Sequence, residues 1–102
     1  MNEQYRQGDV LLVRVGTVPK GAKVEQNDTN IVLAYGETTG HSHRISAATA
    51  KAYQWQGDRL IEIHKVTDLV HEEHSPIRLE PGIYKLVHQR EYTPERVRRV
   101  VD

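Results

Sequence analysis

The chain has 102 residues, of which 37% are hydrophobic, and its 14 lysines and arginines balance its 14 aspartates and glutamates. This length indicates one domain with a single modest core. A net charge of zero excludes a global field that attracts nucleic acid or an anionic membrane, and it permits association into a homo-oligomer. The absence of cysteine excludes disulfides, thiolate catalysis and cysteine-ligated zinc.

The N-terminal stretch MNEQYRQGDV lacks the basic end and the apolar run of a signal peptide. No apolar run reaches the ~18–20 residues that a membrane-spanning helix needs. We therefore expect a cytoplasmic protein that does not enter a membrane.

Turn-forming residues recur along the chain, mostly at the spacing of roughly 8–12 residues that is typical of an all-β domain. Short β-branched or aromatic runs lie between the turns. The predicted strands, in chain order, are DVLLVRV (9–15), NIVLAY (30–35), SHRIS (42–46), AKAYQWQ (50–56), RLIEIHKV (59–66), PIRL (76–79) and IYKLVHQREY (83–92). The pattern predicts a mainly antiparallel all-β fold over residues 1–92, as a small β-barrel or a jelly-roll-like sandwich.

The C-terminal residues 93–102 carry the signals of one short helix. TPE (93–95) combines an N-cap residue, proline at the first helical position and an acid in the first turn. Val97, Val100 and Val101 repeat at helical spacing. So short a helix is not stable alone in water, so we expect it to pack on the barrel or on a neighbouring subunit, with an extended tail as the alternative.

GHSHRI (40–45) contains two histidines one residue apart. On a strand, residues i and i+2 point to the same face, so His41 and His43 are predicted to project together. Their imidazoles then bind one ion or flank one substrate. The alternative is two polar residues on the solvent face of an edge strand.

A second pair occurs in LVHEEHSPI (69–77). Pro76 disfavours helix before it, and on a straight strand His71 and His74 would point to opposite faces. We therefore expect only one of them in a shared site, unless this segment is a turn. HEEH is not the HExxH motif of zinc metalloproteases, which needs histidines at i and i+4 on a helix.

Together these residues predict a site for a divalent metal ion. His41, His43 and one of His71 and His74 supply three nitrogen ligands, which suit zinc best and also manganese, iron or nickel. Glu72 and Glu73 are candidates for a further ligand or a catalytic general base. His64 and His88 lie on predicted strands and their roles stay open, although a lone strand histidine with aromatic neighbours, as at His88, is more often a hydrogen-bonded structural residue.

The HxH motif on a strand of a small cysteine-free β domain resembles the cupin superfamily, and this resemblance implies a jelly-roll barrel that holds a metal inside it. More broadly, the stretches GHSHRI, LVHEEHSPI, LEPGIY and QREY resemble a family of small uncharacterised bacterial and phage proteins. That resemblance covers residues 36–92 and implies no activity.

Three functions compete at this stage. The first is a metal-binding β-barrel, with a metalloenzyme acting on a small substrate as one form of it. The second is a histidine-dependent RNA phosphodiesterase, which the zero net charge does not favour. The third is a non-catalytic adaptor that self-associates through sheet edges.

Overall fold

The computed structural model describes residues 3–36 and 38–88, and within these ranges it contains ten β-strands and no helix. The strands are β1 (Gln4–Gln7), β2 (Val10–Val15), β3 (Lys23–Val24), β4 (Asn30–Tyr35), β5 (Ser42–Ser46), β6 (Ala50–Trp55), β7 (Asp58–Ile63), β8 (Thr67–Leu69), β9 (Ile77–Leu79) and β10 (Gly82–His88). The predicted strands over 30–35 and 42–46 are confirmed with the same bounds. The predicted strands do not include β1, β3 and β8.

All strand pairs are antiparallel, which confirms the predicted fold class. One sheet has six strands in the order β1-β2-β10-β7-β6-β3, and two further sheets are the pairs β4-β5 and β8-β9. Arg44 of β5 forms an isolated bridge with Val70, just after β8, through two backbone hydrogen bonds of 3.0 Å. This bridge joins the two pairs into one layer.

The two layers share one hydrophobic core, because alternate residues of each strand point inward. The six-stranded sheet contributes side chains such as Leu12, Ile61 and Tyr84, and the smaller layer contributes Ile31, Ile45, Leu69 and Leu79. The sheets do not close into a barrel, since β1 and β3 are the outer strands of an open sheet. The barrel form of the prediction is therefore wrong, and the layered core is sandwich-like.

The predicted C-terminal helix or tail (93–102) lies outside the described residues, as does the end of the last predicted strand (89–92). In the part of the chain that the structure describes, no helix has the length and apolarity needed to cross a membrane.

Arg59 forms a largely buried ion pair with Glu25 and also links the large sheet to β4. Arg59 of β7 donates two hydrogen bonds to the carboxylate of Glu25, from Nε at 2.7 Å and from Nη2 at 2.8 Å. Its Nη1 donates to the carbonyl oxygen of Val32 at 3.0 Å, where β4 bulges. One guanidinium thus fixes a loop carboxylate and an irregular strand at once, in a planar bidentate geometry that lysine does not provide.

Replacing Glu25 by Gln is expected to lower the free energy of unfolding at pH 7 by about 1.5–3 kcal/mol, because hydrogen bonds between charged groups contribute that much. The hydrogen bond from Arg59 holds the pKa of Glu25 below its ordinary value of 4.5. This stabilisation is therefore present above about pH 4.5 and is lost as the pH falls through the lowered pKa.

Denaturant unfolding of both proteins at pH 7 and pH 3 measures the effect, and the difference between them should shrink at pH 3. The exposed Glu3→Gln variant is the control and should match the wild type. A difference that stays constant between the two pH values would contradict this role for Glu25.

Candidate metal centre

The loop between β8 and β9 brings both of its histidines against β5. Residues 72–74 bend instead of continuing the strand, so His71 and His74 turn to the same side. The ring centroid of His43 lies 4.3 Å from that of His71 and 5.5 Å from that of His74. The centroids of His71 and His74 are 4.8 Å apart. The exception stated for a segment that turns therefore applies, and both histidines of this pair join one cluster.

The three rings lie close enough to one another to hold one metal ion. His43, His71 and His74 each offer one nitrogen, and these nitrogens all lie within 4.8 Å of one another. Imidazoles bound to one tetrahedral ion at about 2.1 Å have nitrogens about 3.4 Å apart, so ring movements of about 1 Å would complete the geometry. We call these three residues the histidine triad.

His43 is the buried member of the triad, with 5% of its surface exposed. Its Nδ1 lies 2.8 Å from Oε1 of Gln7 on β1. Burial lowers the pKa of His43, and the positive charges that His71 and His74 would carry lower it further. The ring is therefore neutral at neutral pH, as a metal ligand must be.

His71 has a different hydrogen bond. The backbone N–H of Glu73 donates to His71 Nδ1 at 3.0 Å. A neutral imidazole has one nitrogen lone pair, and this bond uses it. His71 must therefore release the Glu73 amide before it binds an ion.

A second group of candidate ligands overlaps the triad and consists of His41, His71 and Glu72. The carboxylate of Glu72 already accepts hydrogen bonds from the Ser42 amide at 3.0 Å and from Arg44 at 2.9 Å. These bonds hold the pKa of Glu72 below its ordinary value. The carboxylate therefore joins the loop to β5 and is a poorer metal ligand than the triad.

His41 lies just before β5, where the two-residue alternation of a strand does not apply, and it is not grouped with His43 as a candidate ligand. Its ring makes an edge contact with His71, with centroids 5.7 Å apart. Its Nδ1 lies 3.1 Å from Oε2 of Glu73. His41 and Glu73 thus form a polar pair beside the triad.

Two glycines permit the close packing of these rings. A Cβ built on Gly36 would lie 3.0 Å from His71 Nε2, and one on Gly8 would lie 3.1 Å from His74 Nε2. Gly8 also has a φ of 61°, in the left-handed region that favours glycine. Larger residues at either position would displace a histidine.

The triad lies on the wall of an open cleft of about 670 Å³, within the size range of small-molecule sites. The β4 side contributes Tyr35, which is 78% exposed at the rim. Asp9 and His88 also line the cleft, so His88 belongs to the surroundings of the triad. His64 lies away from it, with Nε2 3.3 Å from Glu62.

Gln7 and Gly8 have no role in the prediction from sequence, and Asp9 appears there only as the start of a strand. A polar residue next to a Gly-Asp turn was the one local signal for them.

A scan of family models matches residues 6–89 to a domain of unknown function, DUF8820. The match includes all of the cleft residues described above, and it confirms the expectation of an uncharacterised family. Searches of curated proteins and of solved structures found no match, and they give the cupin resemblance no support. Because the family model covers most of its length, the chain belongs to the DUF8820 family.

Proposed function

We propose that this protein binds a divalent transition-metal ion through His43, His71 and His74. The observation that carries the proposal is the convergence of three imidazole nitrogens, from two distant segments, within 4.8 Å of one another. The partner of His43 supports it, because Gln7 holds this buried neutral imidazole in place. A histidine whose other nitrogen is hydrogen-bonded is the usual form of a metal ligand.

The donor set favours zinc. Imidazole nitrogens suit zinc, copper, iron and nickel, whereas manganese prefers carboxylate and water oxygens. Three protein ligands leave a position open for water or an exogenous ligand, as in catalytic zinc sites. Here that position would face the cleft, so a small molecule would reach the ion.

A metalloenzyme acting on a small substrate is the catalytic form of this proposal. The two candidate carboxylates differ in their environments. Glu72 is bound to Ser42 and Arg44, whereas Glu73 is 63% exposed, pairs with His41 and lines the cleft. Glu73 is therefore the better candidate for contact with a substrate or with a metal-bound water.

Zinc is expected to stabilise the untagged protein by about 2.7 kcal/mol when its concentration is 100 times the Kd. The variants His71→Ala and His74→Ala should lose most of this stabilisation, because each removes one of three ligands. Elemental analysis and thermal unfolding with Zn²⁺, Ni²⁺ or Mn²⁺ measure it.

The matched control is His64→Ala, which removes an exposed histidine outside the cleft and should respond to zinc as the wild type does. Wild-type protein that contains no metal and does not shift in melting temperature with any of the three ions would overturn the proposal.

Metal binding is expected to free the amide of Glu73. A neutral imidazole has one lone pair, and His71 cannot use it to bind an ion and to accept the hydrogen bond of this amide at the same time. The Glu73 amide resonance should shift upfield, and its hydrogen exchange should accelerate, when zinc is added. NMR titration follows both changes, with the Val70 amide, bonded to Arg44, as the internal reference. An unchanged Glu73 amide in zinc-saturated protein would show that His71 is not a ligand.

Gly36→Ala is expected to weaken zinc binding about 10-fold or more, as changes that misplace ligands do, because the added methyl group would press on His71 Nε2 at 3.0 Å. Gly16→Ala is the matched control, since a Cβ there meets nothing within 4 Å. Competition with a chromophoric chelator gives both affinities. Equal zinc affinities in these two variants would contradict the tight packing of His71 against β4.

A further inference from the structure

We propose that Gln7 is the positioning residue of the metal centre, which selects the coordinating nitrogen of His43 and holds both ends of the histidine loop. This inference rests on the proposed metal binding. No feature of the motifs in the sequence assigns Gln7 a role. The structure assigns it one through three hydrogen bonds made by a single buried side chain.

The environment of Gln7 determines the orientation of its amide. The residue is 3% exposed at the end of β1. Its Nε2 donates to the carbonyl oxygens of Leu69 and Ser75, each at 3.0 Å. Because only the NH₂ group of the amide can donate to two carbonyls, the atom facing His43 must be Oε1.

The orientation of Gln7 in turn determines the tautomer of His43. Oε1 is an acceptor, so Nδ1 of His43 must carry the proton in their 2.8 Å hydrogen bond. In the neutral ring the lone pair is then on Nε2. Gln7 therefore selects Nε2 as the nitrogen that coordinates the ion, in the way that outer partners fix ligating histidines in metal sites.

The two carbonyl contacts give Gln7 a second task. Leu69 and Ser75 lie immediately outside the segment that carries His71 and His74. One amide therefore links the two ends of this loop to each other and to the ring of His43. All three members of the triad depend on the same side chain for their relative positions.

Glutamine is the one common side chain that meets these demands at this position. Glutamate accepts from His43 but has no proton to donate to two carbonyls, asparagine is one methylene shorter, and methionine of similar size offers neither function. Substitutions of Gln7 can therefore separate its hydrogen bond to His43 from its hydrogen bonds to the two ends of the loop.

The test compares wild type, Gln7→Met, Gln7→Glu and Gln7→Asn, with Gln54→Met as the matched control on the exposed face of β6. Long-range ¹H–¹⁵N NMR spectra of the metal-free proteins report the tautomer of His43, and chelator competition reports the zinc affinity. The tautomer distinguishes this role from a purely structural one, because loss of packing alone does not change which nitrogen of His43 carries the proton.

The wild type and Gln54→Met should show His43 protonated at Nδ1 and bind zinc equally. Gln7→Met should lose the fixed tautomer and bind zinc about 10- to 100-fold more weakly, the range for loss of an outer partner in metal sites. Gln7→Glu should keep the Nδ1–H tautomer and still bind more weakly than wild type, because the loop ends lose their donors. If Gln7→Met does not fold, Gln7→Asn takes its place with the same expectation.

A folded Gln7→Met or Gln7→Asn protein with wild-type tautomer and wild-type zinc affinity would overturn the inference and leave the proposed function standing. A wild-type His43 protonated at Nε2 would also overturn it, and this measurement needs no metal. Wild-type protein with the Nδ1–H tautomer and no zinc binding would instead overturn the proposed function, so the two failures are distinguishable.

Discussion

The candidate site depends on one short piece of backbone pairing, the antiparallel bridge between Arg44 and Val70. These residues are adjacent in sequence to His43 and His71, so the two hydrogen bonds of the bridge bring the histidines of two distant segments side by side. Glu72 extends the contact by accepting hydrogen bonds from Ser42 and Arg44. Backbone hydrogen bonds thus bring the two segments together, and the histidine side chains supply the candidate ligands.

A buried polar cluster is stable only when its members are paired, because an unsatisfied buried group costs about 1–3 kcal/mol. Here the pairing is complete for Gln7, which makes three hydrogen bonds, and the pKa of His43 is lowered so that its ring stays neutral. His71 and His74 are less buried. The triad therefore combines one rigid buried ring with two rings on a loop that bends toward the cleft.

One buried ring and two rings on a loop are an arrangement that suits a site at which a metal ion binds and is released. In the proposed site, His43 would fix the position of the ion, and the rings of His71 and His74 would move by about 1 Å to reach coordination distance. The hydrogen bond between His71 and the Glu73 amide would oppose that movement and so would couple metal binding to the conformation of the loop. The open cleft beside the triad leaves room for a molecule that such an ion would bind.

The amino-acid sequence by itself determined the fold class and several strands, because short β-branched runs such as NIVLAY, set between recurring turn residues, favour strands. It also marked the histidines, since their spacing is visible locally. Barrel closure, the turn that unites His71 with His74, and the role of Gln7 were decided only by tertiary structure. Gln7 lies on a short polar strand, and its partners are 36, 62 and 68 residues away. No local pattern encodes such contacts, because they exist only after the sheets have paired.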